Sequence, residues 1–335
     1  MHQKLMTPMQ TQLASQLQSA YLRDLLWLLE APDLITSHFA GKPDLTFLGL
    51  GEIELPKWFQ DLENRLDDLE AGLKTAGSKR LGVYHEALWE LLLNAAPNIQ
   101  LLGHHLSIRE NKRTLGELDF IYRQKSTGEI YHLEVAIKYY LGLPQGPGEP
   151  QDLARWIGPA GLDSLAIKVQ HSEQRQLPLS DLPLARQQLE SVIAASKKQG
   201  STLEPIKKQL ALPGVLFYPW HSPLQPPLRA SQHHWRGWWL YITDWPDFAN
   251  QFNGKLQGQL LSKPHWLAAP LHSDLLDQQQ LEALLNNHFQ QHGWPLQLAL
   301  FSPQQGWQRV FLVKAGWPQL IPLSPSAHSQ AITRE

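Results

Sequence analysis

The chain has 335 residues, with 29 lysines and arginines, 31 aspartates and glutamates, and a formal net charge of -2. A hydrophobic fraction of 42% beside 18% charged residues predicts a folded globular protein, long enough for two modest domains. The near-neutral balance excludes a protein held on nucleic acid by its bulk charge, which leaves only a local basic patch for that role. Because cysteine is absent, disulfides, thiolate metal sites and cysteine nucleophiles are excluded.

The N-terminal residues 1–18 mix Gln, Ser, Thr and Lys and lack the apolar core of a secretory signal. No run approaches the roughly 18 uninterrupted apolar residues that a transmembrane helix needs. We therefore expect a cytoplasmic protein with no membrane partner. Of the 13 tryptophans, most fall in the second half of the chain. They predict a tryptophan-rich core there, and a surface for a protein partner is the alternative.

The first part of the chain is predicted to be helical. Apolar residues recur at every third or fourth position over 13–28 and again over 52–73, which is typical of amphipathic helices. Gly77 and Ser78 then interrupt the pattern. A third helix is predicted over 80–94, with leucines along one side.

From residue 99 the apolar period changes to two, which predicts three consecutive strands. Their ranges are 99–109, 114–123 and 129–141, and Ser-Thr-Gly at 126–128 predicts a hairpin turn between the last two. Prolines and glycines over 143–150 then predict a loop.

The second half predicts a mixture of helices and strands. Helices are expected over 161–176, 182–198 and 278–291, and strands over 214–220, 237–243, 296–301 and 309–314. The final dozen residues are expected to be frayed. Prolines just after residue 222 indicate a boundary. We therefore expect an N-terminal helical region (1–79), a core (80–222) and a smaller tryptophan-rich mixed α/β region (223–335).

Chemically reactive side chains cluster within the predicted core. Glu86 lies on its helix, Asp119 on its second strand, and Glu134 and Lys138 on its third. Because side chains alternate along a strand, Glu134 and Lys138 are expected on one face, and the hairpin can bring the Asp119 face beside it. Carboxylates in apolar strands are costly unless they are compensated. Divalent Mg²⁺ or Mn²⁺ would compensate them, and a nearby lysine would stabilise a reacting phosphate.

Three motifs together carry a resemblance: Gly-Glu-Leu-Asp-Phe at 116–120, Ser-Thr-Gly at 126–128, and His-Leu-Glu-Val-Ala-Ile-Lys at 132–138. In these motifs the chain resembles the PD-(D/E)XK nuclease superfamily, and it is similar to a family of uncharacterised bacterial proteins assigned to that fold. The resemblance implies an α/β protein with a restriction-endonuclease-like core of order αβββαβ. It also implies a nuclease that uses Mg²⁺ or Mn²⁺ and acts on DNA or RNA.

The same resemblance implies a role for each reactive residue. Asp119 and Glu134 would be metal ligands, and Glu86 would bind the metal directly or through water. Lys138 would be the catalytic lysine. The superfamily usually spaces its last acid and lysine as Glu-x-Lys, which would put the lysine at position 136, where this chain has alanine. Lys138 lies two residues, or about 6.6 Å, further along the predicted strand.

Other side chains are candidates for substrate contact. Lys168, on the helix after the loop, is a second candidate for the catalytic charge, and Gln170 and Gln174 are its helical neighbours. Arg236 belongs to a basic and aromatic cluster with Trp235 that has the composition of a single-strand binding surface. A plain polar helix face and a packing layer are the respective alternatives.

Two other functional classes stay open beside the nuclease. Ala136 at the lysine position favours a nuclease-fold protein that has lost turnover and binds nucleic acid or protein. A structural partner that docks through its tryptophan-rich half is a further alternative. Asp119 and Glu134 would then be ordinary ion-pair residues, with Arg109, Arg123 or Lys138 as partners. The sequence gives little support to zinc, because its histidine pairs are adjacent and His-Glu-x-x-His is missing.

Overall fold

The computed structural model describes residues 8–51, 54–75, 80–194 and 205–322. Over these residues the chain is a mixed α/β protein, as predicted, with ten α-helices and two sheets. The helices are α1 (Pro8–Gln16), α2 (Ala20–Glu30), α3 (Leu45–Leu48), α4 (Glu54–Glu63), α5 (Leu66–Thr75), α6 (Leu81–Ala95), α7 (Leu165–His171), α8 (Pro183–Ala194), α9 (Trp245–Asn250) and α10 (Gln278–Gln291). The strands are β1 (Ile99–Glu110), β2 (Arg113–Gln124), β3 (Ile130–Val135), β4 (Lys138–Gly142), β5 (Trp156–Ile157), β6 (Lys207–Ala211), β7 (Gly214–Pro219), β8 (Trp235–Tyr241), β9 (Gln257–Leu260), β10 (Leu276–Asp277), β11 (Leu296–Ser302) and β12 (Gly306–Val313).

The chain divides into two compact units, and each unit is built from separate stretches. Unit 1 comprises the described parts of Met1–Leu34, Lys138–Lys168 and Gly214–Glu335, and unit 2 comprises those of Ile35–Ile137 and Val169–Pro213. The predicted domain boundaries after residues 79 and 222 stay a prediction. In neither unit does a described helix have the length and apolar character to cross a membrane.

Unit 2 is organised by a four-stranded sheet of order β1-β2-β3-β6. The first three strands are antiparallel neighbours, whereas β6 returns parallel to β3 after α7 and α8. Apolar side chains of β1 and β2 pack against α8, because alternation along the strands gives them one apolar face. This core includes Ile108, Leu118, Ile121 and Leu189, all fully buried.

Unit 1 is organised by an eight-stranded sheet of order β10-β9-β11-β12-β8-β7-β4-β5. The four central strands β12, β8, β7 and β4 run parallel, and the outer pairings are antiparallel. Helices α9 and α10 cover part of this sheet, with Phe248 and Leu281 packed against Leu298 and Val310. A capping box at Asp277 explains why α10 begins at Gln278, where the sequence predicted it.

Most predicted elements are confirmed, including β1, β2, the hairpin and α10. In the hairpin, Gly128 has a φ of 79°, which glycine adopts without strain. Three long helices are wrong. The helix predicted over 13–28 is divided into α1 and α2. The helix predicted over 52–73 is divided into α4 and α5, and the one over 161–176 is α7 followed by a π-helical turn, Ser172–Gln176. Four predicted features lie outside the described residues: the helix start at residue 52, the break at 77–78, the helix end beyond residue 194 and the final dozen residues.

The strand predicted over 129–141 is also wrong, and this difference affects the candidate site. Strand β3 ends at Val135, and the N–H of Ala136 still donates to Ala211 of the same sheet, at 2.9 Å. The chain then enters the other sheet at Lys138, where β4 begins. Both halves of the predicted strand are almost wholly buried, and the apolar residues 135–137 at their junction give no sign of the break.

We predict that Gly214→Ala destabilises unit 1. Gly214 begins β7 and pairs with Lys138 of β4, and a methyl group there would overlap the Lys138 carbonyl oxygen. The free energy of unfolding should fall by about 3 kcal/mol, as for severe overpacking. Urea denaturation followed by tryptophan fluorescence measures it.

Gly82→Ala is the matched control, because a methyl group at this position of α6 meets no atom within 4 Å. It should leave the free energy of unfolding unchanged or raise it by up to about 1 kcal/mol, since alanine favours helix. Equal behaviour of the two variants would contradict the close pairing of β4 with β7.

Candidate functional site

Asp119 and Glu134 lie on neighbouring strands of unit 2. Phe120 of β2 pairs with Leu133 of β3, and this antiparallel register, continued by one residue, puts Asp119 opposite Glu134. The backbone N–H of Val135 donates a hydrogen bond to Asp119 Oδ2 at 2.9 Å. Glu134 is 2% exposed and Asp119 is half-buried. The structure therefore brings together two of the predicted metal ligands, at the end of β3.

Glu86 lies near a histidine of the same sheet, His105 of β1. It lies half-buried on α6, and its Oε2 is 4.0 Å from His105 Nε2 of β1. The other ring nitrogen of His105 is 3.0 Å from Glu117 Oε1, and Ser107 Oγ donates to Glu117 Oε2 at 3.3 Å. Glu117 precedes Asp119 by two residues on β2. The structure thus links the helix to β2 through His105.

Sequence reasoning missed His105. An adjacent histidine pair was expected to diverge, as side chains do in a regular strand. In the structure β1 has a register shift between Leu101 and Gly103, and His105 has a φ of 50°, in the left-handed region. The glycine at 103, two residues before His105, is the sequence signal for such an irregularity in a strand.

The carboxylates do not form a centre with three protein ligands. Among the residues that the structure describes, no group of three or more histidines, aspartates or glutamates is arranged to hold a metal ion. A pair of carboxylates nevertheless suits Mg²⁺, which usually takes one or two from the protein and completes its shell with water and phosphate oxygens. Asp119 and Glu134 are two neighbouring carboxylates of this kind, and their role as metal ligands stays a prediction.

Lys138 does not continue the Glu134 face along one strand, and that expectation is wrong because β3 ends at Val135. Lys138 begins β4 in unit 1, and its Nζ is 2.5 Å from Asp163 Oδ2. The Tyr140 hydroxyl donates to the same carboxylate oxygen at 3.1 Å. Lys138 is therefore part of an ion pair within unit 1, and its role as catalytic lysine stays a prediction.

The predicted substrate-contacting residues are divided between elements. Lys168 is half-buried on α7, where Gln170 is exposed, and Gln174 is exposed on the π-helical turn. Arg236 is exposed on β8 of unit 1, with its guanidinium 4.9 Å from the centre of the Tyr218 ring. Gln170 and Gln174 belong to unit 2, so the structure assigns them and Arg236 to different units.

His132 precedes Glu134 by two residues and is fully buried on β3. Its Nδ1 is 3.2 Å from Ser180 Oγ. Burial, together with the charge of nearby Lys208 and against the opposing effect of Asp181, lowers the pKa of His132 to about 4. The imidazole on the Glu134 strand is therefore neutral at neutral pH.

We predict that His132 makes the folded state sensitive to mild acid. Since its pKa is about 4 when folded and 6.5 as the unfolded reference, the unfolded chain binds more protons between these values. Stability is therefore highest above pH 6.5 and falls as the pH drops towards 4, by about 3 kcal/mol. Urea denaturation at a series of pH values measures this slope.

His132→Gln should flatten that slope, whereas His233→Gln, at an exposed position, should leave it as in the wild type. Identical slopes for the wild type and His132→Gln would contradict a neutral, buried imidazole.

Comparison with known proteins identifies the family. A family model described as "Domain of unknown function (DUF1853)" matches residues 23–313. No curated protein and no solved structure matches the chain. The resemblance to a family of uncharacterised proteins is thereby confirmed at this level, while the nuclease superfamily stays a prediction. Because the match covers most of its length, the chain belongs to the DUF1853 family.

Proposed function

We propose that this protein is a metal-dependent nuclease that hydrolyses phosphodiester bonds in DNA or RNA. Asp119 and Glu134 would hold Mg²⁺ or Mn²⁺, with Glu86 bound through water. The observation that carries the proposal is the pair of carboxylates facing each other on β2 and β3, one of them buried.

The physical support is electrostatic. Carboxylates directly opposite on neighbouring strands repel each other, and burial strengthens that repulsion because the effective dielectric constant is low. A divalent cation between Asp119 and Glu134 would replace this repulsion with attraction to both groups. The Val135 N–H fixes the direction of the Asp119 carboxylate, so little ordering would be needed on binding.

The order of elements in unit 2 also supports the proposal. Helix α6, strands β1, β2 and β3, helices α7 and α8, and strand β6 follow one another as αβββαβ, apart from the insertion of β4 and β5. Strand β6 lies parallel to β3 at the sheet edge opposite β1. This is the order that the superfamily resemblance implies.

Each candidate residue would have a separate role in phosphodiester hydrolysis. A bound divalent cation would supply Lewis-acid activation of water and neutralise charge on the phosphate. Asp119 and Glu134 would fix its position, and Glu86, whose Oε2 is 4.0 Å from His105 Nε2, would orient water on the helix side. Lys138 would stabilise the negative charge that develops on the phosphate oxygens.

A nuclease-fold binding module is the second candidate function. It is favoured by alanine at position 136 and by the Lys138–Asp163 ion pair, which neutralises the lysine charge. Such a protein would retain oligonucleotides without cutting them.

We predict that the wild type cuts labelled oligonucleotides in Mn²⁺ and that EDTA abolishes cutting. A mixed panel of single- and double-stranded DNA and RNA is the substrate. Asp119→Asn should reduce the rate at least about 100-fold, the usual cost of losing a group that organises transition-state charge. Asp61→Asn, at an exposed position of α4, should retain full activity.

Retention of the oligonucleotides by folded wild type without any cleavage would reject the nuclease and favour the binding module. Cleavage that survives Asp119→Asn unchanged would reject the assigned metal site. Circular dichroism of each variant establishes that loss of activity is not loss of fold.

We also predict that Lys138 acts in catalysis rather than only in its ion pair. Lys138→Met should reduce the turnover rate at least about 100-fold, while Asp163→Asn, which breaks the same pair but keeps the lysine, should not. Equal effects of the two variants would show a structural role for Lys138. Lys168→Met then tests the second candidate lysine in the same assay.

A further inference from the structure

A cavity of about 560 Å³ lies within unit 1, and the described residues that line it include neither the proposed metal ligands nor Lys138. Its wall includes the rings of Trp27, Trp235 and Trp307 and the side chains of Arg23, Arg236 and Arg309. The volume is in the range of about 300–1,000 Å³ that is typical of small-molecule sites.

The described side chains that line the cavity include positive charges and no carboxylate. Three arginines line the cavity, and among the described residues that line it there is no aspartate or glutamate. Asp24, which acts electrostatically on both Arg23 and Arg309, and Asp274, which acts on Arg23, line a neighbouring cavity of about 230 Å³ instead. Because guanidinium groups stay protonated at neutral pH, the cavity attracts an anion.

Two of the arginines are fixed by the protein itself. Arg309 donates to the carbonyl oxygens of Trp266, at 2.7 Å, and Leu267. Arg23 donates to the carbonyls of Leu17 and Gln18, at 3.0 and 2.6 Å, in the segment before α2. Arg236 is exposed and lies over the Tyr218 ring. Arg23 and Arg309 are therefore held by backbone carbonyls, whereas Arg236 is exposed and its guanidinium lies against an aromatic ring.

Three tryptophans also line this cavity, and of these Trp307 is more exposed than Trp27 and Trp235. Trp27 and Trp235 meet edge to face, with ring centres 5.3 Å apart. Trp307 is half-buried and packs beside His272 and Phe301, at 5.0 and 5.3 Å between ring centres. Planar bases stack on such side chains with little dependence on sequence.

We propose that this cavity binds a nucleotide, with its base on the Trp307 side and its phosphate at Arg236. A single ligand must satisfy both an aromatic wall and a cationic wall. An inorganic anion would leave the rings unused, and an uncharged aromatic compound would leave the arginines unused. The ligand is either a free mononucleotide or the end of a single strand, since both present the same chemistry. The proposal does not depend on the carboxylates of unit 2.

Isothermal titration calorimetry in EDTA tests this without any cleavage. The probes are AMP, UMP, adenosine, inorganic phosphate, and a short thymidine oligonucleotide with or without a 5′-phosphate. We expect a mononucleotide or the phosphorylated strand to bind one-to-one, and adenosine and phosphate to bind at least about tenfold more weakly, since each lacks one of the two contacts. Tighter binding of the strand than of AMP or UMP would identify a strand end as the ligand, and equal binding would identify a mononucleotide.

Matched variants locate the binding. Trp307→Leu and Arg236→Gln should each weaken it about tenfold, the scale of one lost base stack or charged contact. Trp294→Leu removes a tryptophan that is 61% exposed and outside the cavity, and Arg175→Gln removes an exposed arginine of unit 2; neither should change binding. The proposal is overturned if no probe binds saturably, or if the cavity variants behave as the controls do. Nuclease activity in Mn²⁺ can survive either result, so the two proposals fail separately.

Discussion

The hydrogen bond from the Val135 N–H to Asp119 Oδ2 joins β2 to β3 at the last residue of β3. It sets the direction of one carboxylate beside a second, buried carboxylate at Glu134. A sheet that keeps two acids opposite each other bears an electrostatic cost. A divalent cation would remove that cost. The metal proposal therefore rests on this pair of carboxylates at the end of β3.

The same residue marks where the chain leaves its sheet. Beyond Val135 the N–H of Ala136 is still hydrogen-bonded to Ala211 of β6, and Lys138 begins a strand of the eight-stranded sheet. Glu134 and Lys138 therefore lie on different strands, and the alternation of side chains along one strand does not place them on the same face. Its ion pair with Asp163 is local to unit 1. This separates the metal-ligand part of the proposal, which rests on geometry, from the lysine part, which rests on resemblance.

Much of the sheet could be predicted from the sequence, because β1 and β2 alternate apolar and polar side chains and Gly128 marks the hairpin. These signals also predicted that Asp119 and Glu134 would be neighbours. The break after Val135 could not be predicted, since residues on both sides of it are apolar and buried. His105 was missed because its left-handed conformation arises from the irregular pairing of β1. The cavity of unit 1 could not be predicted from the sequence, because residues from distant stretches line it, such as Trp27 and Trp307. Only Arg236 and Trp235 were singled out by the sequence.

The most direct measurement is anomalous diffraction from a crystal of the wild type soaked in Mn²⁺. A nuclease site of the proposed kind requires a peak between the carboxylates of Asp119 and Glu134, about 2.0–2.6 Å from an oxygen of each. No peak at this position at saturating Mn²⁺, or a peak bound only by other residues, would contradict the metal site and with it the proposed chemistry.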